Sequence, residues 1–429
     1  MFPRDPVEFL FSLERLGMKF GLDNMQALCE ALGHPERDFP SIIVAGTNGK
    51  GSVTAMVAAG LQAAGHRCGR YTSPHLLRLE ERFTIAGEEI SRAHLAASAG
   101  RIKSAVESLL AEGALDGPPT FFECTTAVAF DLFREASVDL AVLEVGLGGR
   151  LDATNVVTPI AAGITSIAFD HEAQLGNTLA AIAREKAGVI KAGIPVVCGP
   201  LPPEAFEAIQ AVAVGERATI IKALDEVTMT VTTETDRLTV DVRTARRVLR
   251  HVTLGLRGRH QVDNAAVAVS LLEVLEGAGY ALPDDALRAG LTDTSWPARL
   301  EYFRYAGCDI LLDAAHNPAG TRALADHLRQ RGWLGITLVF GAMQDKAVLH
   351  MLEPLLPLCA RLICTTAATP RAMPGAALAR LLAEGAGRAV DIETVENPAE
   401  ALAAAVQADT PVVIAGSIFL VGPLRDILR

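Results

Sequence analysis

Apolar residues in this chain gather into short solid runs, and helical spacing follows most of them. Ile42-Ile43-Val44-Ala45, bounded by Pro40 and Gly46, reads as a strand buried on both faces. From Val53 to about Ala64 the apolar positions recur as on a helix. Runs at Cys68–Tyr71, Asp139–Val145, Ala161–Ile167 and Pro195–Gly199 read as further strands. Helical patterns at Val7–Arg15, Asn24–Leu32, Ser91–Leu110, Phe121–Ala136, Thr178–Lys191, Pro203–Val214, Gln261–Leu275 and Pro283–Gly290 lie between and around them. Gly113–Pro119 is a loop. From Val227 to Val242 the pattern changes to alternation around Asp236-Arg237, which predicts an antiparallel hairpin.

Trp296-Pro297 then breaks the pattern. Beyond it, strand-like runs at Ile310–Asp313, Thr337–Phe340, Leu362–Thr365, Val390–Thr394 and Val412–Ala415 each adjoin a helix. Strands alternating with helices predict mostly parallel sheets covered on both faces. A chain of 429 residues accommodates two such units, and the break near Trp296–Arg299 divides it into 1–296 and 297–429.

Composition narrows the function classes. The formal charge of −11 argues against a general nucleic-acid or membrane-surface role, so an anionic substrate must be met by local basic residues. The seven cysteines are dispersed, without C-x-x-C or zinc-type spacing, which fits a reducing compartment and a cytoplasmic location. Arg4, Asp5 and Glu8 make the first residues unlike a secretory signal. No apolar stretch reaches the roughly 18 residues of a membrane span.

The candidate chemistry starts where the first strand ends. Gly46-Thr47-Asn48-Gly49-Lys50-Gly51-Ser52 joins a strand to a helix, with glycines, a lysine and a hydroxyl at the turn. Glycines let successive N–H groups point inward, the helix start adds partial positive charge, and Lys50 can reach outer phosphates while Ser52 faces a cation. The spacing is shorter than G-x-x-x-x-G-K-[ST], and a plain strand–helix turn is the competing reading.

Further strand ends carry Thr72-Ser73-Pro74-His75, Glu144 before a second glycine turn, and Asp170-His171. In open α/β sheets ligands sit beyond the carboxyl ends of the strands, so these segments can converge. Ser73, Glu144 and Ser52 offer the hard oxygens magnesium needs, and His171 a softer nitrogen. Alternatively, Glu144 caps a neighbouring helix and His171 lies on the surface. Lys186 reads alone as a solvated helical charge. Gln261 or Asp263 can cap the helix that carries Asn264. Asp313, in Asp313-Ala314-Ala315-His316-Asn317-Pro318, is either a cap or a ribose ligand.

Together these motifs resemble the folylpolyglutamate synthase/dihydrofolate synthase branch of the Mur ligase superfamily. The matching stretches are Ala45–Ser52, Tyr71–His75, Glu144–Asn155, Asp170–His171, Arg184–Gly188, Gly258–Asn264, Pro297–Leu300, Asp313–Pro318, Gly341–Lys346 and Gly416–Ser417, in the family's order. The short glycine loop is the normal form in that superfamily. The resemblance implies a P-loop N-terminal ATPase domain with a mostly parallel sheet and a smaller Rossmann-like C-terminal α/β domain. It implies an ATP- and magnesium-dependent amide ligase that joins L-glutamate to a folate or to dihydropteroate through an acyl phosphate, as a monomer.

Carried onto matching positions, it implies that Thr47, Asn48, Gly49, Lys50, Gly51, Ser52, Asn264, Arg299 and Asp313 bind ATP. Ser73, Glu144 and His171 would bind magnesium, and Lys50, Lys186 and His316 would be catalytic, Lys186 as a carbamate. Met18, Lys19 and Phe20, then Phe122, Glu123, Cys124 and Thr125, then Leu151, Asp152 and Ala153, would receive the pterin-bearing substrate. Ala298 stands where the family usually has Gly. A peptidoglycan-precursor ligase of the same superfamily, a P-loop GTPase or small-molecule kinase, and a nucleotide-sensing module without ligation are the competing readings.

Overall fold

Five consecutive buried residues make β1 (Ser41–Ala45) the inner strand about which the first sheet is built. The computed structural model describes residues 2–17, 19–385 and 390–429. With β2 (Cys68–Tyr71), β3 (Phe83–Ile85), β4 (Glu88–Glu89), β5 (Leu140–Glu144), β6 (Ala161–Ile164), β7 (Val196–Cys198) and β8 (Ile220–Lys222), β1 forms a sheet ordered β4-β3-β2-β5-β1-β6-β7-β8. The pairings of β3 with β2 and β4 are antiparallel, and the others are parallel. Register places Val44 beside Glu144 and Gly163, and Tyr71 beside Leu143, so the carboxyl ends of β1, β2, β5 and β6 share one edge.

Helices cover both faces. On one, the helix Lys50–Ala63 packs Val53, Met56, Val57 and Leu61 against Leu271 and Leu272 of the helix His260–Gly277. On the other, Phe130 and Phe133 of the helix Phe121–Glu135 share a core with Tyr71 and Phe83.

The second sheet comprises β12 (Glu301–Tyr305), β13 (Cys308–Leu312), β14 (Ile336–Phe340), β15 (Cys359–Cys364), β16 (Asp391–Thr394) and β17 (Val412–Ala415), ordered β12-β13-β17-β14-β15-β16. All its pairings are parallel except that of the edge strand β12. Sequence patterning missed β12, because Glu301-Tyr302-Phe303-Arg304-Tyr305 is a half-exposed edge with no solid apolar run.

Local differences from the sequence reading have local causes. The expected hairpin is a three-stranded meander, β9 (Thr228–Glu234), β10 (Leu238–Arg243) and β11 (Val248–Thr253). In β11 the buried Leu249 and Val252 are three apart, because the register with β10 shifts between Val240 and Val242, and this hides the alternation. The helix expected to reach Lys191 ends at Ala187. There Arg150 N donates to Glu185 O at 2.8 Å, and Asn155 Nδ2 donates to Gly188 O at 2.9 Å. Strand β6 stops at Ile164 because the residues after it turn to hold the loop that follows β1. Among the described residues no helix is long and apolar enough to cross a membrane.

Candidate active site

Gly46 and Gly49 make the turn after β1 possible, with φ of 144° and 87°. The turn is then clamped by the segment after β6. Thr47 N donates to Ser166 O at 2.7 Å, Asn48 N to Ser166 Oγ at 3.1 Å, and Thr165 Oγ1 to Asn48 O at 2.6 Å. No side chain caps the start of the helix Lys50–Ala63, so its first N–H groups remain free for an anion. Gly49 also admits Asn264, whose Oδ1 lies 2.3 Å from where a Cβ on Gly49 would be.

Lys50 folds back over this turn, donating from Nζ to Gly46 O at 3.1 Å and Thr47 O at 3.2 Å. Its charge is felt by Glu144, His171 and Lys186, which places the three around one ammonium. Glu144 is buried at the end of β5, and its Oε2 accepts from Ser73 N at 3.2 Å. Burial raises the Glu144 pKa, opposed by Lys50, the Ser73 N–H and Arg299. His171 is brought down to about 4, first by burial and then by Lys346, His316 and Lys50, with Asp170 opposing, so its imidazole is neutral near pH 7.

Lys186 is not a solvated charge. It is only 5% exposed, and its Nζ donates to Gly46 O at 2.9 Å. Burial, then Lys50, brings its amine down to about 7. Its helix approaches this closely because Gly149 and Gly188 lack side chains. A Cβ on Gly149 would lie 2.6 Å from Lys186 O, and one on Gly188 would lie 2.3 Å from Arg150 Cβ. Gly149→Ala is therefore expected to push the helix away and lower stability by about 1–3 kcal/mol, read as a lower Tm. An unchanged Tm would show that the backbone can yield there.

The second sheet brings its strand ends to the same place. Asn317 caps the helix Pro318–Gln330, its Oδ1 accepting from Gly320 N at 2.8 Å. The same amide pairs reciprocally with Asn48 of the glycine turn at 3.2 and 3.0 Å, and donates to Asp170 Oδ2 at 3.0 Å. Lys346 Nζ reaches Asp170 Oδ1 at 2.5 Å, and His316 Nε2 lies 3.6 Å from Asp170 Oδ2. Burial opposes ionisation of Asp170, but His316, Lys346 and His171 hold its carboxyl far below the usual range. Asn317 and Lys346 are site residues that sequence reasoning left unassigned. An Asn-Pro at a helix start signals a cap, but not a contact across the cleft.

Asp313 is buried, and its oxygens accept from Leu300 N at 2.9 Å and Ala315 N at 2.8 Å, so it does act as a turn-holding carboxylate. Its charge is countered by Arg299, which stands between Ala298 and Leu300, two non-glycine residues at φ of 58° and 47°.

Among the expected pterin-side residues, Lys19 and Glu123 are joined through Asn24. Lys19 Nζ donates to Asn24 Oδ1 at 3.3 Å, and Asn24 Nδ2 to Glu123 Oε2 at 3.5 Å. Glu123 also completes a capping box with Thr120. Phe122 lies on Gly146 and 6.1 Å from the Tyr71 ring, and Phe20 is 54% exposed. Cys124 and Thr125 are fully buried, Thr125 bonding the Tyr71 hydroxyl at 3.0 Å. Asp152 is buried and accepts from Leu147 N and Thr154 N, shaping the turn between Leu151 and Ala153. Met18 lies outside the described residues.

For a divalent cation, the residues expected to serve supply a hydroxyl, a carboxylate and a neutral imidazole. That donor set suits magnesium or a similar ion only if the nucleotide and water complete the shell. Among the described residues no group of three or more His, Cys, Asp or Glu could hold a metal.

Known proteins match most of the chain. The Mur ligase middle domain matches residues 44–272, and the Mur ligase glutamate ligase domain matches residues 298–418. The dihydrofolate synthase/folylpolyglutamate synthase of Bacillus subtilis is 39% identical over 346 residues, 80% of each protein. The structure of Mycobacterium tuberculosis folylpolyglutamate synthase complexed with ADP superposes with a TM-score of 0.91 at 34% identity, covering 99% of both chains. That of Escherichia coli FolC in complex with DHPP and ADP gives 0.86 at 30% identity, covering 99% of this chain and 97% of the other.

Proposed function

Because the chain belongs to the Mur ligase family, in the branch of dihydrofolate and folylpolyglutamate synthases, we propose that it is an ATP-dependent ligase adding L-glutamate to folates and to dihydropteroate. The observation that carries this reading is the convergence of Lys50, Glu144, His171 and Lys186 from one sheet with Asn317, His316 and Lys346 from the other, around one glycine turn.

The turn Thr47–Ser52 receives the phosphates on backbone N–H groups, and Asn264 and Arg299 bracket the nucleotide. With Asp313 already engaged by Leu300 and Ala315, its part in nucleotide binding is to hold the Arg299 segment and offer its remaining lone pairs. Phe20, Phe122 and the Leu151–Ala153 turn wall the pterin side. The buried Glu123, Cys124 and Thr125 form the base of that wall, with Lys19 at its rim.

A carboxylate is a poor electrophile. Its oxygen therefore attacks the terminal phosphorus of ATP, the bond to ADP breaks, and an acyl phosphate results. Lys50 leaves its resting contacts with Gly46 and Thr47 to neutralise charge on the moving phosphoryl group. The amine of glutamate then attacks the acyl carbon, phosphate departs, and His316 takes up the proton. Ser73, Glu144 and His171 would hold magnesium, which supplies Lewis-acid neutralisation of phosphate charge. A carbamate on Lys186 would add a carboxylate to that set. The Asn48–Asn317 clasp keeps water from the acyl phosphate.

Free thiols at all seven cysteines support a cytoplasmic setting, and a monomer is the simplest assembly for a site made within one chain. The test is ADP release with dihydropteroate, tetrahydrofolate or neither, each with and without L-glutamate. Release is expected only when acceptor and glutamate are both present. Release to an acceptor without glutamate would point to a kinase, and nucleotide binding without release to a sensor.

A further inference from the structure

Trp296 occupies the point where the chain leaves the first sheet for the second. Its indole packs on the core around the helix Lys50–Ala63, and the Arg70 guanidinium lies 5.0 Å from the ring centre. A further close neighbour is Gly51, at the end of the glycine turn. A Cβ there would stand 2.8 Å from Cζ2, 2.9 Å from Cε2 and 3.0 Å from Nε1 of the indole. The ring therefore rests directly on the backbone that begins the phosphate helix.

The residues that follow leave little slack. Ala298 and Leu300 are buried in left-handed conformations that side chains disfavour. Three bonds hold them there: Ala298 N to Glu301 Oε2 at 2.8 Å, Ala314 N to Ala298 O at 2.9 Å and Leu300 N to Asp313 Oδ2 at 2.9 Å. Arg425 fixes Glu301 in turn at 2.7 and 2.8 Å. Arg299 is carried on this arch, with Nη1 on Ala298 O at 3.0 Å and its charge felt at Asp313, Glu144 and His260.

We propose that Trp296 is a positioning residue, transmitting the placement of Gly51 to Arg299 so that the arginine meets the nucleotide only when the phosphate turn is seated. This rests on the reading above that Arg299 contacts ATP. Gly51 must be glycine to admit the indole, and Arg70 keeps the indole from swinging away. A tryptophan that merely filled the core would affect stability without involving Arg299.

A double-mutant cycle separates the two roles. Binding of a non-hydrolysable ATP analogue is measured by calorimetry for the full chain, for Arg299→Ala, for Trp296→Leu and for both together, with Tm recorded for each. Arg299→Ala and Trp296→Leu are each expected to weaken binding roughly tenfold, and the double variant to bind within about twofold of Arg299→Ala alone. Trp296→Phe should recover most of the affinity. Multiplying effects, or wild-type affinity in Trp296→Leu, would overturn the proposal. If Trp296→Leu does not fold, Arg70→Met, which leaves the indole and removes its stacking partner, is taken through the same cycle with the same two readings. Because no acceptor or glutamate is present, the result is independent of what is ligated. Failure of the wild-type chain to bind the analogue would instead bring down the ligase reading and this proposal with it.

Discussion

Lys50→Ala is expected to lose glutamate-dependent ADP release by roughly 10²–10³-fold or more, chiefly in kcat, while remaining folded. The two effects are separable because Lys50 is a half-buried residue at the first position of its helix rather than part of the core. Its contacts in the resting structure are to Gly46 O and Thr47 O, and losing both costs about 1–3 kcal/mol, a fall of a few degrees in Tm for a chain of this size. The catalytic loss is larger, because the other two lysines of the site are already engaged. Lys186 is buried against Gly46 O, and Lys346 is paired with Asp170. The substitution also removes a positive charge that helps keep the Lys186 amine low and that favours ionised Glu144. A folded Lys50→Ala protein with full activity would remove the assignment of the glycine turn as the phosphate site.

The second large effect is at Lys186. Lys186→Ala is expected to be nearly inactive and to recover with added short carboxylic acids, which can enter the vacated space as a carbamate stand-in. Lys186→Arg is expected to be inactive and not rescued, since guanidinium cannot form the carbamate and still fills that space. The pH dependence has a defined sign. Carbamate formation needs the neutral amine, and the amine sits at about 7, so wild-type activity should fall as pH drops below 7. For stability, the folded pKa of about 7 is depressed below the ordinary 10.5, so the unfolded chain binds more protons between these values. This lysine therefore makes the fold more stable as pH rises through that window, and Tm plotted against pH should be flatter there in Lys186→Ala. Wild-type rates in Lys186→Arg would mean that no carbamate is involved.

Much of this site was legible because strand ends are legible. The solid run Ile42–Ala45, the glycines after it, and Glu144 at the end of another apolar run follow from periodicity and turn chemistry alone. Lys186 was opaque for a physical reason. Two charged residues, Arg184 and Glu185, precede it on its helix, and its 5% exposure depends on the close approach of Gly149 and Arg150, more than thirty positions away, to the helix end at Lys186–Gly188. Asp170 and Lys346 were equally hidden as a pair, since they lie 176 positions apart and meet only when the two sheets do. The left-handed backbone at Ala298 could not be read from an alanine, which ordinarily avoids it. What it carries is not alanine chemistry but the placement of the next residue.

The amide of Asn317 serves two masters, and that restricts its drift in lineages. Aspartate and serine are good helix caps, so selection for stability alone would accept either. Aspartate has no donor for Asn48 and would set a second carboxylate about 3.0 Å from Asp170, and the single short hydroxyl of serine cannot replace the two amide atoms that meet Asn48. Glutamine keeps the amide but is one methylene too long to cap. Two independent filters, one acting on folding and the other on turnover, thus leave this position with a single residue, and a population-level survey of tolerated variants would find it nearly invariant although its side chain is joined to the chemistry only by hydrogen bonds.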